Sequence, residues 1–281
     1  MNRFSRQKHL LFVERKRMII NLKGKTAIVS GSTAGIGHAI AQGLAGAGAS
    51  VIVNGRTQER VKQAVDKIKA AFSKADVKGV AADLGTNEGA QDLIARVPAA
   101  DILINNLGIF EPKPFFDIPD EDWERFFRVN VLSGVRLARH YARGMVQRKW
   151  GRVIFISSES GVQIPAEMIH YGMTKTAQLA VSRGLAETVA GTGVTVNAVL
   201  PGPTRSEGVE KFVEQVGKQS GKSFEQTEKD FFRTMRPSSL LKRFATNEEV
   251  ANMVVYLSSE QASATTGASV RVDGGVVRAI V

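Results

Sequence analysis

Thr26-Ala-Ile-Val-Ser30 is a short apolar run that passes directly into Gly31-Ser-Thr-Ala-Gly35-Ile-Gly37 and then into the helical pattern His38-Ala-Ile-Ala-Gln-Gly-Leu-Ala45. Few folds accept that order. A buried strand, a glycine turn and a helix make a βα unit, and a strand entering a helix this abruptly feeds a parallel sheet. Glycines at offsets 0, 4 and 6 let a backbone approach a pyrophosphate, while the helix N-terminus offers free N–H groups and a positive dipole end.

The alternation then repeats. Ser50–Asn54 reads as a second strand and Arg60–Phe72 as an amphipathic helix carrying Val61, Ala64, Val65, Ile68 and Phe72 on one stripe. Val77–Ala82, Asp101–Asn105, Gly151–Ser157, Val194–Leu200 and Ala268–Val272 supply five more strands. Helices are expected at Asn87–Arg96, over 122–149 as one long segment containing Asn130, at about 169–190 and at 246–257. The expected fold class is α/β, one doubly wound (Rossmann) seven-stranded parallel sheet with helices on both faces, filling a single catalytic domain over 22–281. Residues 203–236 are polar and charged, with Val209, Phe212, Val213 and Val216 at helical spacing, and have the composition of a substrate lid.

A dinucleotide fold that prefers NAD usually ends its second strand with an acid for the ribose 2′-OH. No acid stands between Val53 and Gln58, and Arg56 is there instead. A guanidinium suits a 2′-phosphate through paired donors, so NADP(H) is favoured over NAD(H).

Chemistry is expected from Ser157 to Lys175. Tyr171 and Lys175 are four apart, which on a helix puts both side chains on one face. Ser157 and Ser158 end the fifth strand, where ligands of doubly wound sheets lie. Ser158 is expected to face substrate and Ser157 to be buried, with Gln163–His170 walling the pocket. A free tyrosine titrates near ~10, so acid/base use at neutral pH asks for a shift of about three pH units, roughly 4 kcal/mol. Lys175 one turn away favours the phenolate, and Ser158 can donate to the substrate oxygen.

Composition mainly excludes. There are no cysteines, so disulfides and thiolate chemistry are out, and four histidines without ligand spacing argue against a metal site. No apolar run approaches the ~18–20 residues of a membrane span. Of the net charge of +11, much sits before residue 18, where six basic residues stand against Glu14 alone. Residues 1–21 are expected to be a poorly ordered basic extension, with Met18 the functional beginning, no nucleic-acid partner and no membrane span; a basic arm for nucleic acid or a membrane surface, or an amphipathic targeting peptide, is the alternative. A cytoplasmic location is expected.

Taken together, these motifs resemble the short-chain dehydrogenase/reductase family over about 22–275, including its 3-oxoacyl-acyl-carrier-protein reductase-like members. The family's cofactor turn is similar to Gly31-Ser32-Thr33-Ala34-Gly35-Ile36-Gly37. Its acidic residue after the third strand matches Asp83 (with Leu84), its Asn-Asn-Ala-Gly motif matches Asn105-Asn106-Leu107-Gly108, and its Pro-Gly turn matches Pro201-Gly202, with Thr204 following. The resemblance implies a catalytic set of Ser158, Tyr171, Lys175 and Asn130, the last anchoring a water that links Lys175 to solvent. It implies a small-molecule carbonyl or secondary-alcohol substrate and a homotetramer (or homodimer) paired through 122–149 and 169–190. Leu107 departs from the family's alanine. Of two arginines that dock an acidic carrier protein in the acyl-carrier members, one matches Arg136 and the other falls on Glu187. The alternatives are a 3-oxoacyl-acyl-carrier-protein reductase and an NADP-sensing protein without catalysis.

Overall fold

Each apolar run becomes a strand in the computed structural model, which describes residues 19–206, 208–210, 213, 217 and 221–280. The order is β1 (Thr26–Val29), α1 (Gly35–Gly46), β2 (Ser50–Gly55), α2 (Gln58–Ala71), β3 (Val77–Ala81), α3 (Asn87–Arg96), β4 (Ile102–Asn105), α4 (Asp120–Phe127) and α5 (Ser133–Gln147). It continues with β5 (Gly151–Ile156), α6 (Ile169–Thr188), β6 (Val194–Pro201), α7 (Phe224–Thr234), α8 (Asn247–Leu257) and β7 (Ser269–Val272). The basic extension before residue 19, and Phe212 and Val216 of the expected lid, lie outside the described residues.

The strands form one parallel sheet in the order β3-β2-β1-β4-β5-β6-β7. Successive side chains alternate between two buried faces. Ala27, Val29, Ile102, Ile104, Ile154 and Ile156 pack on α1, α2 and α8, through Ile40, Leu44, Ile68 and Val254. Ile28, Leu103, Val153 and Phe155 pack on α3, α5 and α6, through Leu93, Leu137, Met145 and Ala186. Both faces are covered, as a parallel sheet requires. The strand order reverses between the parallel neighbours β1 and β4, where Val29 pairs with Ile104, and the crevice beyond that reversal is where such sheets bind ligands.

The long helical segment expected over 122–149 is divided. α4 ends at Phe127, Arg128–Leu132 is a π-helical turn, and α5 starts at Ser133. Tertiary bonds account for the break. Asn130 in that turn has its side chain tied to Ile109, donating to the carbonyl at 3.0 Å and accepting from the N–H at 2.8 Å. Its own carbonyl accepts from Gln178 Nε2 at 2.5 Å. A π turn frees such carbonyls from the helix and is frequent at functional sites.

Candidate active site

The glycine turn is held from three sides. Asn54 at the end of β2 accepts from Gly31 N at 3.1 Å and donates to the carbonyls of Val80 and Ala82, both at 3.1 Å. Asn106 after β4 donates to the carbonyls of Ser30 and Gly31, both at 2.9 Å, and Ser30 Oγ accepts from the N–H groups of Asn106 and Leu107. Gly31 (φ +59°) and Gly35 (φ +56°) take left-handed backbone, and a Cβ at Gly37 would collide with Asn106 Nδ2 and the Gly31 carbonyl. The first intrahelical bond is His38 N to Ala34 O at 3.2 Å, and no side chain caps α1. The N–H groups of Gly35, Ile36 and Gly37 therefore lack helical acceptors, as at helix N-termini generally, where anions are favoured.

Ser157 and Ser158 leave β5 together and diverge. Ser157 Oγ donates to the Lys175 carbonyl at 2.8 Å and ties the strand end to α6. Ser158 Oγ accepts from Ser160 N at 3.1 Å and lines a cavity of about 400 Å³. Tyr171 and Lys175 enter the same cavity from the first turns of α6, with Lys175 Nζ 5.5 Å from the Tyr171 ring centre. Lys175 Nζ donates to the Ile156 carbonyl at 2.9 Å and to Gln178 Oε1 at 3.3 Å. Burial drives the two groups in opposite directions, because each charged form loses hydration. It pushes the Tyr171 phenol up to about 12, against the Ser158 hydroxyl and Arg236, which lower it, and with Glu159, which raises it. It pulls the Lys175 ammonium down to about 7.

The cavity also gathers Ile36, Asn106, Gly108, Pro201, Gly202 and Thr204. A Cβ at Gly108 would lie 3.3 Å from Lys175 Nζ, so the chain passes close above the lysine there. Thr33 and Gly35 line a neighbouring cavity of about 590 Å³ instead. Arg56 is exposed just past β2, and Asp83, also exposed, accepts from Gly85 N at 3.0 Å. Ser32 and Leu84 turn inward: Ser32 Oγ donates to the Val29 carbonyl at 2.7 Å, its N–H donates to the Asn54 carbonyl at 2.8 Å, and Leu84 lies in the core, so neither side chain lines a cavity. Asn130 sits one layer behind the cavity, donating also to Thr174 Oγ1 at 3.0 Å. Leu107 is half-buried on the α3/α5 face of the core, and its Cδ1 lies 3.4 Å from where a Cβ on Gly31 would stand, so it borders the glycine turn.

The expected wall is only partly so. Glu167 and Met168 line the cavity, but His170 is fully buried behind it, with its ring 4.1 Å from Phe126 and 6.0 Å from Trp123. Two lining residues carry no local signal: Glu159, next to Ser158, and Arg236, beyond α7, which meet across the cavity. The apolar wall is built by Ile109, Phe110, Val209, Phe231, Met235 and Phe244.

Known proteins resemble the chain in sequence and in fold. Residues 31–277 match a family model described as enoyl-(acyl carrier protein) reductase. The oxidoreductase YvaG of Bacillus subtilis is 50% identical over 263 residues, 94% of this chain and 100% of that protein. The 3-oxoacyl-[acyl-carrier-protein] reductase FabG of Aquifex aeolicus is 34% identical, covering 92% of this chain and 100% of its own. Among solved structures, L-sorbose reductase from Gluconobacter frateurii, complexed with NADPH and L-sorbose, superimposes with a TM-score of 0.88 at 32% identity, covering 94% of this chain and 100% of that one.

Proposed function

This chain belongs to the short-chain dehydrogenase/reductase family, and from that premise we propose that it is an NADP(H)-dependent carbonyl reductase and secondary-alcohol dehydrogenase. The observation that carries the reading is the convergence of Ser158, Tyr171 and Lys175 on one apolar-walled cavity at the carboxyl ends of the strands. When bound, the nicotinamide cofactor supplies a hydride to a carbonyl carbon or takes one from a secondary alcohol.

The residues present suit that cofactor. The uncapped N–H groups of Gly35, Ile36 and Gly37 would hold its pyrophosphate, and the glycines leave the space. Asp83 would meet the adenine. Asn106, Gly108, Pro201, Gly202 and Thr204 border the cavity beside Lys175, whose ammonium would hold ribose hydroxyls. Arg56 would take the 2′-phosphate, and the NADPH complex of the sorbose reductase relative supports that choice.

In reduction, Tyr171 gives its phenolic proton to the carbonyl oxygen, and in oxidation it takes the hydroxyl proton. Ser158 donates a hydrogen bond to the same oxygen and so favours the charge that gathers there. Lys175, when protonated, favours the phenolate that proton donation leaves behind. Asn130 is a positioning residue: it holds the Ile109 backbone over the cavity, and its π turn docks α6 through Gln178.

Reduction of an acyl-carrier-bound ketone is the second reading, favoured by the FabG relative. Surface charge argues against it. Arg136 donates to the Gly85 carbonyl at 3.5 Å, while Glu187 is exposed and ion-paired with Arg183. An acid paired with Arg183 leaves no free cation at that position to dock an acidic carrier. A cofactor sensor without catalysis would have no use for the complete Ser158, Tyr171 and Lys175 set.

The test is turnover. Full-length protein offered a panel of neutral ketones and secondary alcohols should change the NADPH absorbance with at least one of them. No turnover of any panel member with either nicotinamide cofactor would sink the proposal. The cofactor preference is separable: Arg56→Ala should lower the ratio of kcat/KM for NADPH over NADH by about tenfold or more, the worth of a lost charge-assisted contact. An unchanged ratio would mean that Arg56 does not select the phosphate.

A further inference from the structure

A charge cluster that the hydride chemistry does not use stands against Ser158. Glu159 follows it at the end of β5 and is 4% exposed. Arg236, two residues beyond α7, reaches across the cavity: its Nε donates to Glu159 Oε1 at 3.1 Å and its Nη1 to Glu167 Oε1 at 3.0 Å. Nη1 also donates to the Met235 carbonyl at 2.8 Å. Ser160 Oγ donates to Glu159 Oε2, and Ser158 Oγ lies 3.5 Å from that same oxygen. All four of Ser158, Glu159, Glu167 and Arg236 line the cavity that holds Tyr171.

Two carboxylates share one guanidinium, so the cluster is one negative charge in excess. The remaining charged group on the cavity wall, Lys175, is engaged with Ile156 and Gln178. An ionised carboxylate has about four acceptor positions. On Glu159 one is filled by Arg236 and one by Ser160, and Ser158 is too distant for a third strong bond. Glu159 thus keeps acceptor capacity next to the hydroxyl proposed to meet the substrate oxygen.

Resting on the carbonyl-reductase reading above, we propose that the substrate is an uncharged ketone with a hydroxyl beside the carbonyl, which donates to Glu159, and that the Glu159–Arg236–Glu167 cluster turns keto acids away. A neutral hydroxyl replaces water at Glu159 with a charge-assisted bond. A substrate carboxylate would be the third anion around a single arginine in a desolvated cavity, where like-charge repulsion is strong. Discrimination by repulsion is the more effective part of such a device. The carbon skeleton lies along Ile109, Phe110 and Phe231.

Three probes share one skeleton that suits this wall: acetophenone, α-hydroxyacetophenone and phenylglyoxylate. With NADPH and the full chain, kcat/KM should fall in the order α-hydroxyacetophenone, acetophenone, phenylglyoxylate, by about tenfold at each step. Glu159→Gln keeps shape and most hydrogen bonding but removes a charge. It should bring the first two within about threefold and raise phenylglyoxylate relative to both. Glu167→Gln, at a less buried position, should relax only the rejection of phenylglyoxylate, which guards against a folding defect at residue 159. Glu159→Gln combined with Glu167→Gln leaves Arg236 as the one charge of the cluster and should make phenylglyoxylate the preferred probe. Because ratios between variants cancel intrinsic reactivity, an order unaltered by all three changes overturns the inference. So does a wild-type preference for phenylglyoxylate, or turnover of other ketones without α-hydroxyacetophenone. Absence of turnover across the whole ketone and alcohol panel instead overturns the carbonyl-reductase reading beneath it.

Discussion

A Tyr171→Phe variant is expected to lose about 10³-fold or more in turnover while binding NADPH within about threefold of wild type, because general acid–base catalysis by one positioned group contributes up to about 10⁴. The substitution removes one oxygen and leaves the ring, which packs edge-on at 6.3 Å from Phe110, so the cavity keeps its shape. Burial holds the phenol at about 12, so across neutral pH it is a protonated donor poised for reduction. Ser158 cannot substitute, because its hydroxyl donates to an oxygen without giving the proton up. Steady-state assays with fluorescence titration of NADPH decide the matter. More than a tenth of wild-type activity in the variant would remove Tyr171 from the mechanism.

Lys175→Met should lower activity by two orders of magnitude or more and at the same time shift relative stability toward mildly acid pH. Lys175 titrates at about 7 in the folded chain against 10.5 when free. A depressed lysine binds fewer protons folded than unfolded between those values, so stability rises with pH across that window. The penalty is full below pH 7, about 5 kcal/mol by that difference, and gone above pH 10.5. Methionine escapes it but leaves the Ile156 carbonyl and Gln178 Oε1 without their donor, at about 1–3 kcal/mol each. The balance predicts a variant whose melting temperature relative to wild type is highest near pH 6 and falls as the pH rises to 10, where it melts below wild type. Thermal melts at both pH values test this, and a melting difference that does not change with pH would refute it. A site that is costly to the fold and needed by the reaction is the usual form of a stability–activity conflict.

Much of this was legible along the chain because it is written locally. Short β-branched runs, helical periodicity and glycine spacing depend on neighbours within a few residues, so the strands fall within a residue or two of expectation. The pairing of Tyr171 with Lys175 is a matter of helix pitch alone, and the arrival of Ser158 beside them follows from strands that all end on one edge. The split of the long helix at Arg128–Leu132 was not legible, since its causes, Ile109 and Gln178, lie 21 and 48 residues from Asn130. His170 reads as a pocket residue by position, yet the rings of Phe126 and Trp123 draw it behind the wall.

The residues between Thr26 and Gly37 illustrate the division. Their order determined a strand, a glycine turn and a helix, hence a parallel sheet with the turn proposed above as an anion cradle at its edge, because backbone sterics and helix dipoles act over one or two turns. Only the tertiary structure decided what closes that cradle and what lies opposite it: Asn54 and Asn106 holding the turn from other strands, and Glu159 meeting Arg236 over 77 residues. Charge pairing at such separation is set by how the chain packs and leaves no periodic trace in the sequence. The candidate site residues were therefore readable first, and the charge cluster proposed to select the substrate came into view only with the fold.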